Sequence, residues 1–97
     1  MEPLSAHERE RRLRLLRVRF LKRATKELVS VAQAGPRGAL ERAAHNLRGT
    51  GAALGFEELA REAGELESAI GSQAPQEELD QRLEQLRATV RRDLARA

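Results

Sequence analysis

A chain of 97 residues has room for one compact core, and with 40% apolar and 34% charged side chains it reads as a soluble globular protein. Cysteine is absent and only His7 and His45 represent histidine, which excludes a disulfide framework, a thiol nucleophile and a histidine/cysteine zinc site within one chain. The net charge of +3 hides an asymmetry: residues 1–50 carry 12 Lys and Arg against 5 Glu, whereas residues 51–97 carry 6 Arg against 10 Asp and Glu.

Met1 to Arg12 is charged where a signal peptide would be apolar, and no apolar run approaches membrane-spanning length, so the expectation is a cytoplasmic protein with no membrane partner. Turn signals at Gly35-Pro36, Gly49 to Gly55 and Gly71 to Pro75 divide the chain into four segments of helical length. No segment alternates as a strand would. The first helix is expected over residues 5–34, opening on the capping box Ser5-Ala6-His7-Glu8 and ending at Gly35. Leu13, Leu16, Phe20, Ala24, Leu28 and Val31 form its apolar stripe, widened by Leu21 and Ala32. At about 1.5 Å per residue it outreaches its neighbours, so the segment from Ser5 to Leu16 should overhang, bend back or meet something else.

The second helix, 37–53, directs Leu40, Ala43, Ala44, Leu47, Gly51 and Leu54 to one side. A third, 56–70, repeats the pattern with Phe56, Leu59, Ala60, Ala63, Leu66 and Ile70. The fourth, 75–95, begins at Pro75 and buries Leu79, Leu83, Leu86 and Val90. Glu77, Glu78 and Asp80 near its start and Arg91, Arg92 and Arg96 near its end suit the helix dipole. The expected fold is all-α: a single domain spanning 1–97, an antiparallel up-down-up-down four-helix bundle with a long N-terminal helix. Four apolar stripes in one chain make a monomer the simpler solution.

One constellation carries chemistry. On the helical wheel His45 points about 150° from the centre of the second helix's core arc, among Glu41, Arg48, Gly49 and Ala52. Arg48, one turn on, has a guanidinium that reaches an anion on the imidazole, and Gly49 removes the side chain that would crowd the approach. Each mid-helix glycine costs about 1 kcal/mol against alanine, so Gly49 and Gly51 suggest a second surface coming close.

Residues 45–55, His-Asn-Leu-Arg-Gly-Thr-Gly-Ala-Ala-Leu-Gly, with Phe56, Leu59 and the pair Leu66-Glu67, resemble the signature of the histidine phosphotransfer (HPt) domain of bacterial phosphorelays. The resemblance implies that His45 is the phosphoacceptor, forming phosphohistidine with a receiver domain or a sensor histidine kinase as donor and a response regulator as recipient. It implies that Arg48 steadies the phosphate and that Asn46, Gly49 and Ala52 meet the partner. The departure is Arg48, where lysine is usual; the charge is kept, but the planar fork is bulkier. Glu67 falls on the family's Leu-Glu pair, whose glutamate sits near the histidine in chemotaxis-kinase phosphotransfer domains and fixes its tautomer. A plain surface carboxylate near a helix end is the other reading of Glu67, and a helix start without a docking role is the reading of Gly55. An ordinary imidazole is largely neutral and nucleophilic near neutral pH, and phosphoryl transfer depends mainly on positioning and charge neutralisation.

No nucleotide-binding pattern is present, so the expectation is a stoichiometric intermediate rather than an enzyme, with no cofactor and no metal. His7 has no supporting pattern and reads as surface. The run Arg9, Arg11, Arg12, Arg14, Arg17, Arg19, Lys22, Arg23, Lys26 supports an alternative: a basic helical module that binds nucleic acid or an acidic partner without phosphotransfer. Interleaved apolar residues instead make these cations the solvated side of an amphipathic helix. With only Phe20 and Phe56 to stack on bases and no groove-reading motif, the sequence argues against nucleic acid.

Overall fold

The computed structural model describes residues 3–34 and 36–97, with all of their side chains except those of Gln33 and Ala34. Four helices make up the chain: α1 Ala6–Ala34, α2 Arg37–Ala53, α3 Glu57–Gly71 and α4 Gln76–Arg96. Among the described residues there is no strand. Ser5 starts α1 by accepting the Glu8 N–H on its hydroxyl oxygen at 3.1 Å. Gly35, expected to end that helix, lies outside the described residues.

The next two connections share one geometry. After α2, the Phe56 N–H returns to the Gly51 carbonyl at 2.8 Å and the Gly55 N–H to that of Ala52 at 3.1 Å, with Gly55 left-handed at φ +88°. After α3, Ala74 and Gln73 bond back to Ala69 and Ile70 at 2.9 and 3.1 Å. Both are Schellman endings, which satisfy the last carbonyls by turning one residue into the left-handed region. Glycine takes that position after α2. Gln73 takes it after α3 at φ 58°, although the sequence offers Gly71 nearby.

Each helix packs on two neighbours, α1 on α2, α2 on α3, α3 on α4 and α4 on α1, and among the described residues neither diagonal pair brings its backbones as close. Partner numbers rise on one helix as they fall on the next. Gly51 faces Ala60, Arg48 faces Gly64 and His45 faces Glu67 across α2 and α3. Glu58, Glu62 and Glu65 meet Arg92, Thr89 and Arg82 across α3 and α4. Clefts between α1 and α4 are bordered by Arg14 and Arg96 at one end and by Val31 and Leu83 at the other. The bundle is therefore antiparallel, up-down-up-down.

Its core is aliphatic: Leu21, Leu28, Leu59, Leu66, Leu79, Leu86 and Val90 are all fully enclosed. The α1 stripe enters this core only from Leu21; Leu15 and Leu16 stay more than half exposed and Leu13 half-buried. The reason is length. α1 has 29 residues against 17 in α2 and 21 in α4, and both partners end beside Arg14 to Arg17. Its first two turns project beyond the bundle, and with them the molecule measures 52 × 22 × 21 Å. Arg17 is the exception to the solvated reading of the basic run. Half-buried, it donates from Nε to the Leu54 carbonyl at 2.8 Å, capping α2 from outside while Phe20 stacks on Phe56 with centroids 5.9 Å apart.

Three polar contacts tie α3 to α4: the Arg82–Glu65 ion pair at 3.3 Å and two more toward the α4 C-terminus. Thr89 donates its hydroxyl to Glu62 Oε1 at 2.5 Å, both side chains buried. Nearer the α4 terminus, Arg92 donates to Glu58, and this bond holds the Glu58 carboxyl below its ordinary value while raising the guanidinium's.

Candidate functional site

α2 runs through its two mid-helix glycines without a break, buries Leu40, Ala43, Ala44, Leu47 and Gly51, and turns His45, Asn46, Arg48, Gly49 and Ala52 outward. The His45 side chain is 61% exposed. Its backbone is nevertheless held close to α3, because Gly51 lets α2 settle on Leu59 and Ala60: a Cβ there would lie 3.0 Å from Leu59 Cδ2. That closeness brings the α3 surface at Glu67 within reach of the imidazole.

His45 Nδ1 lies 2.8 Å from Glu67 Oε2, and Arg48 reaches the other oxygen, Oε1, at 3.1 Å. A carboxylate only accepts hydrogen bonds, so the ring's hydrogen sits on Nδ1 and donates to Glu67. The 3.4 Å approach of Arg48 Nη2 to the same nitrogen sets a donor against a donor and marks proximity rather than a bond. Nε2 is then the nitrogen with a free lone pair, on a ring mostly open to solvent. Glu65, the other carboxylate on this side of α3, is taken up by Arg61 at 2.7 Å and Arg82 at 3.3 Å, which leaves Glu67 to Arg48 and His45.

The fold thus brings His45, Arg48 and Glu67 into one cluster. Asn46, Gly49 and Ala52 share the exposed face of α2 beside it, and a Cβ on Gly49 would meet nothing within 4 Å. His7 stays apart, exposed in the first turn of α1 with Arg11 at 3.4 Å. Among the described residues no group of His, Cys, Asp and Glu is arranged to hold a metal ion.

Two features escaped the sequence reading. Gly64 on α3 lies beneath the Arg48 stem, 3.2 Å from Cδ by its missing Cβ, and nothing in the local pattern signals it. A groove of about 640 Å³ separates α1 from α2 on the other side of His45, floored by Phe20, Ala24, Leu47 and Leu54 and rimmed by Leu16, Arg19, Arg23 and Asn46. Its signal was present in Leu16 and Phe20, apolar positions at the end of a stripe that runs past its partners. None of the nine Lys and Arg side chains of α1 is ion-paired with a described carboxylate, whereas Arg61, Arg82, Arg87, Arg91 and Arg92 all are.

The class to which this helical bundle belongs is that of the histidine phosphotransfer domains. The chain belongs to the Hpt domain family, whose model matches residues 9–96, nearly its full length. Hpt domains carry phosphoryl groups in phosphorelays, exchange them with receiver domains and kinases, and are not kinases themselves. No curated protein and no solved structure matches the chain. No helix among the described residues is long and apolar enough to cross a membrane.

Proposed function

We propose that this chain is a stoichiometric phosphotransfer intermediate of a bacterial two-component phosphorelay, monomeric and cytoplasmic, with His45 as its phosphoacceptor. The observation that carries the reading is the His45 Nδ1 to Glu67 Oε2 contact at 2.8 Å on an exposed ring, which leaves Nε2 as the nucleophile. The Nε2 lone pair attacks the phosphorus of an aspartyl phosphate on a receiver domain. The N–P bond forms as the P–O bond to the aspartate breaks, and the carboxylate leaves. The imidazole becomes cationic with its proton still on Nδ1, facing the Glu67 carboxylate. In the return direction a receiver aspartate attacks phosphorus and neutral imidazole leaves. No proton has to move on or off the ring in either direction.

Arg48 brings a guanidinium to the ring, with fork geometry suited to phosphoryl oxygens. Asn46, Gly49 and Ala52 provide a low surface for the receiver's active site to close upon. The unpaired cations of α1 beside an apolar groove favour a partner with an apolar ridge flanked by carboxylates. The same cations underlie the alternative, a basic module for nucleic acid or another acidic partner, but the apolar floor of the groove offers nothing to a phosphate backbone.

Radiolabel transfer from a phosphorylated receiver tests the assignment. Wild-type protein should acquire acid-labile label and His45→Gln none, with an unchanged helical spectrum because His45 makes no core contact. Label that persists in His45→Gln, or that survives acid, overturns it.

A further inference from the structure

Gly64 sits in the middle of α3, three residues before Glu67, and no turn or positive φ asks for glycine there. A Cβ built on it would lie 3.2 Å from Arg48 Cδ and 3.8 Å from Cγ, so the arginine stem crosses α3 through the space that a side chain would fill. Beyond that crossing the guanidinium holds Glu67 Oε1 at 3.1 Å, and the second oxygen, Oε2, meets His45 Nδ1 at 2.8 Å. A glutamate held at one oxygen alone can still rotate about its terminal torsion; held at both, its carboxylate plane is fixed.

We propose that Gly64 is a positioning residue: its missing side chain lets Arg48 lie against α3 and orient the Glu67 carboxylate, and this keeps neutral His45 as the Nδ1–H tautomer with Nε2 bare. The chain of contact is Gly64 to the Arg48 stem, Arg48 to Glu67, and Glu67 to His45. The crossing point is Cδ, the methylene that carries the guanidinium, so a displacement of a few tenths of an ångström there moves the guanidinium with it. The proposal deepens the phosphotransfer reading only in its consequence; the claim about the tautomer stands on the geometry alone.

The test needs no partner protein. Imidazole ¹⁵N shifts at alkaline pH, where the ring is neutral, report the two tautomers directly. Wild-type His45 should be predominantly Nδ1–H. Gly64→Ala should shift the population partly toward Nε2–H, and Gly64→Leu should shift it further. Phosphorylation of His45 by phosphoramidate, a small-molecule donor, should slow by about tenfold in Gly64→Leu, the lower end of what loss of an orienting contact costs. In an Arg48→Ala background the Gly64 substitutions should change neither readout, because the intermediary is gone. Thermal melts of every variant establish that the bundle is intact, and alanine in mid-helix guards against a variant that fails to fold. An unchanged tautomer ratio in Gly64→Leu, or an effect that persists undiminished without Arg48, overturns the proposal. A tautomer that responds as expected in a protein that phosphoramidate leaves unmodified supports the positioning role while removing the phosphotransfer reading.

Discussion

Gly49 and Gly51 lie two residues apart on α2, and the same substitution at each should have opposite effects. Alanine in a helix interior is favoured over glycine by about 1 kcal/mol. At Gly49 a Cβ meets nothing within 4 Å, so Gly49→Ala should keep the whole gain. For a domain of this size that corresponds to a melting temperature higher by about 4–8 °C. At Gly51 the Cβ would stand 3.0 Å from Leu59 Cδ2, with Ala60 behind it at 3.7 Å. Leu59 is fully buried, so any shift of its Cδ2 must be taken up within the core packing. Overpacking of this kind costs about 1–3 kcal/mol, which equals or exceeds the propensity gain and leaves Gly51→Ala neutral to about 2 kcal/mol less stable. Thermal and urea denaturation followed by circular dichroism would measure both variants. Equal shifts, or a Gly51→Ala protein more stable than Gly49→Ala, would refute the account of how closely α2 lies on α3. The functional readout should run the other way at Gly49: a more stable protein that accepts phosphoryl groups from a receiver more slowly, because the added methyl stands on the proposed docking surface.

Four further outcomes are expected. Gln73→Gly should stabilise the protein by about 1 kcal/mol, since the left-handed conformation after α3 is then free of steric cost; an unchanged urea midpoint would contradict it. Thr89→Val should cost about 1–3 kcal/mol by leaving buried Glu62 without its hydroxyl donor, and a neutral result would show that another group satisfies that carboxylate. The Arg92 bond lowers the Glu58 carboxyl from its ordinary 4.5, so the unfolded chain binds the proton more readily; the stabilisation is complete above that value and is lost as pH falls through the folded one. Melting temperature plotted against pH should therefore flatten on the acid side in Glu58→Gln, and coincident slopes would dismiss the contribution. Reversing Arg19 and Arg23 to glutamate should lower the on-rate for an acidic receiver, an effect that fades as salt rises; salt-independent kinetics, or tight binding of duplex DNA, would defeat the acidic-protein reading.

The fold was readable because its four stripes follow the helical period and its loops are short, and Leu40 to Leu47, Leu59 to Leu66 and Leu79 to Val90 needed only burial to become helices. The α1 stripe runs on past the core toward the N-terminus, and its overhang was legible from helix length rather than from periodicity. Periodicity reports which face of a helix is apolar, but whether a neighbour exists to cover it depends on where the other three helices stop. Glu62 and Thr89 were missed for a related reason: each is polar in its own helix, and only the crossing of α3 on α4 makes them partners. His45 and Arg48 stand one turn apart on one helix, a local relation that a wheel displays. Their meeting with Glu67 joins residues 22 apart in sequence and entered the sequence reading through a family signature, not through spacing. Gly64 left no trace, because a glycine that admits a side chain from another helix looks in sequence like any glycine in a helix.

The small residues between α2 and α3 have a bearing on the entropy of encounter. Ala44, Gly51, Ala60 and Ala63 are almost fully enclosed and have no rotamers to lose, so the backbone beneath the cluster is held by contacts that offer few alternative arrangements. His45, Arg48 and Glu67 stand on a stiff plate, not on a loop that a partner must first order. Association then draws little on conformational freedom from this side, and the ordering cost falls on the side chains of the groove rim and on the partner. A carrier that must bind, exchange its cargo and let go repeatedly is served by such a surface, which is organised before contact and unchanged after release.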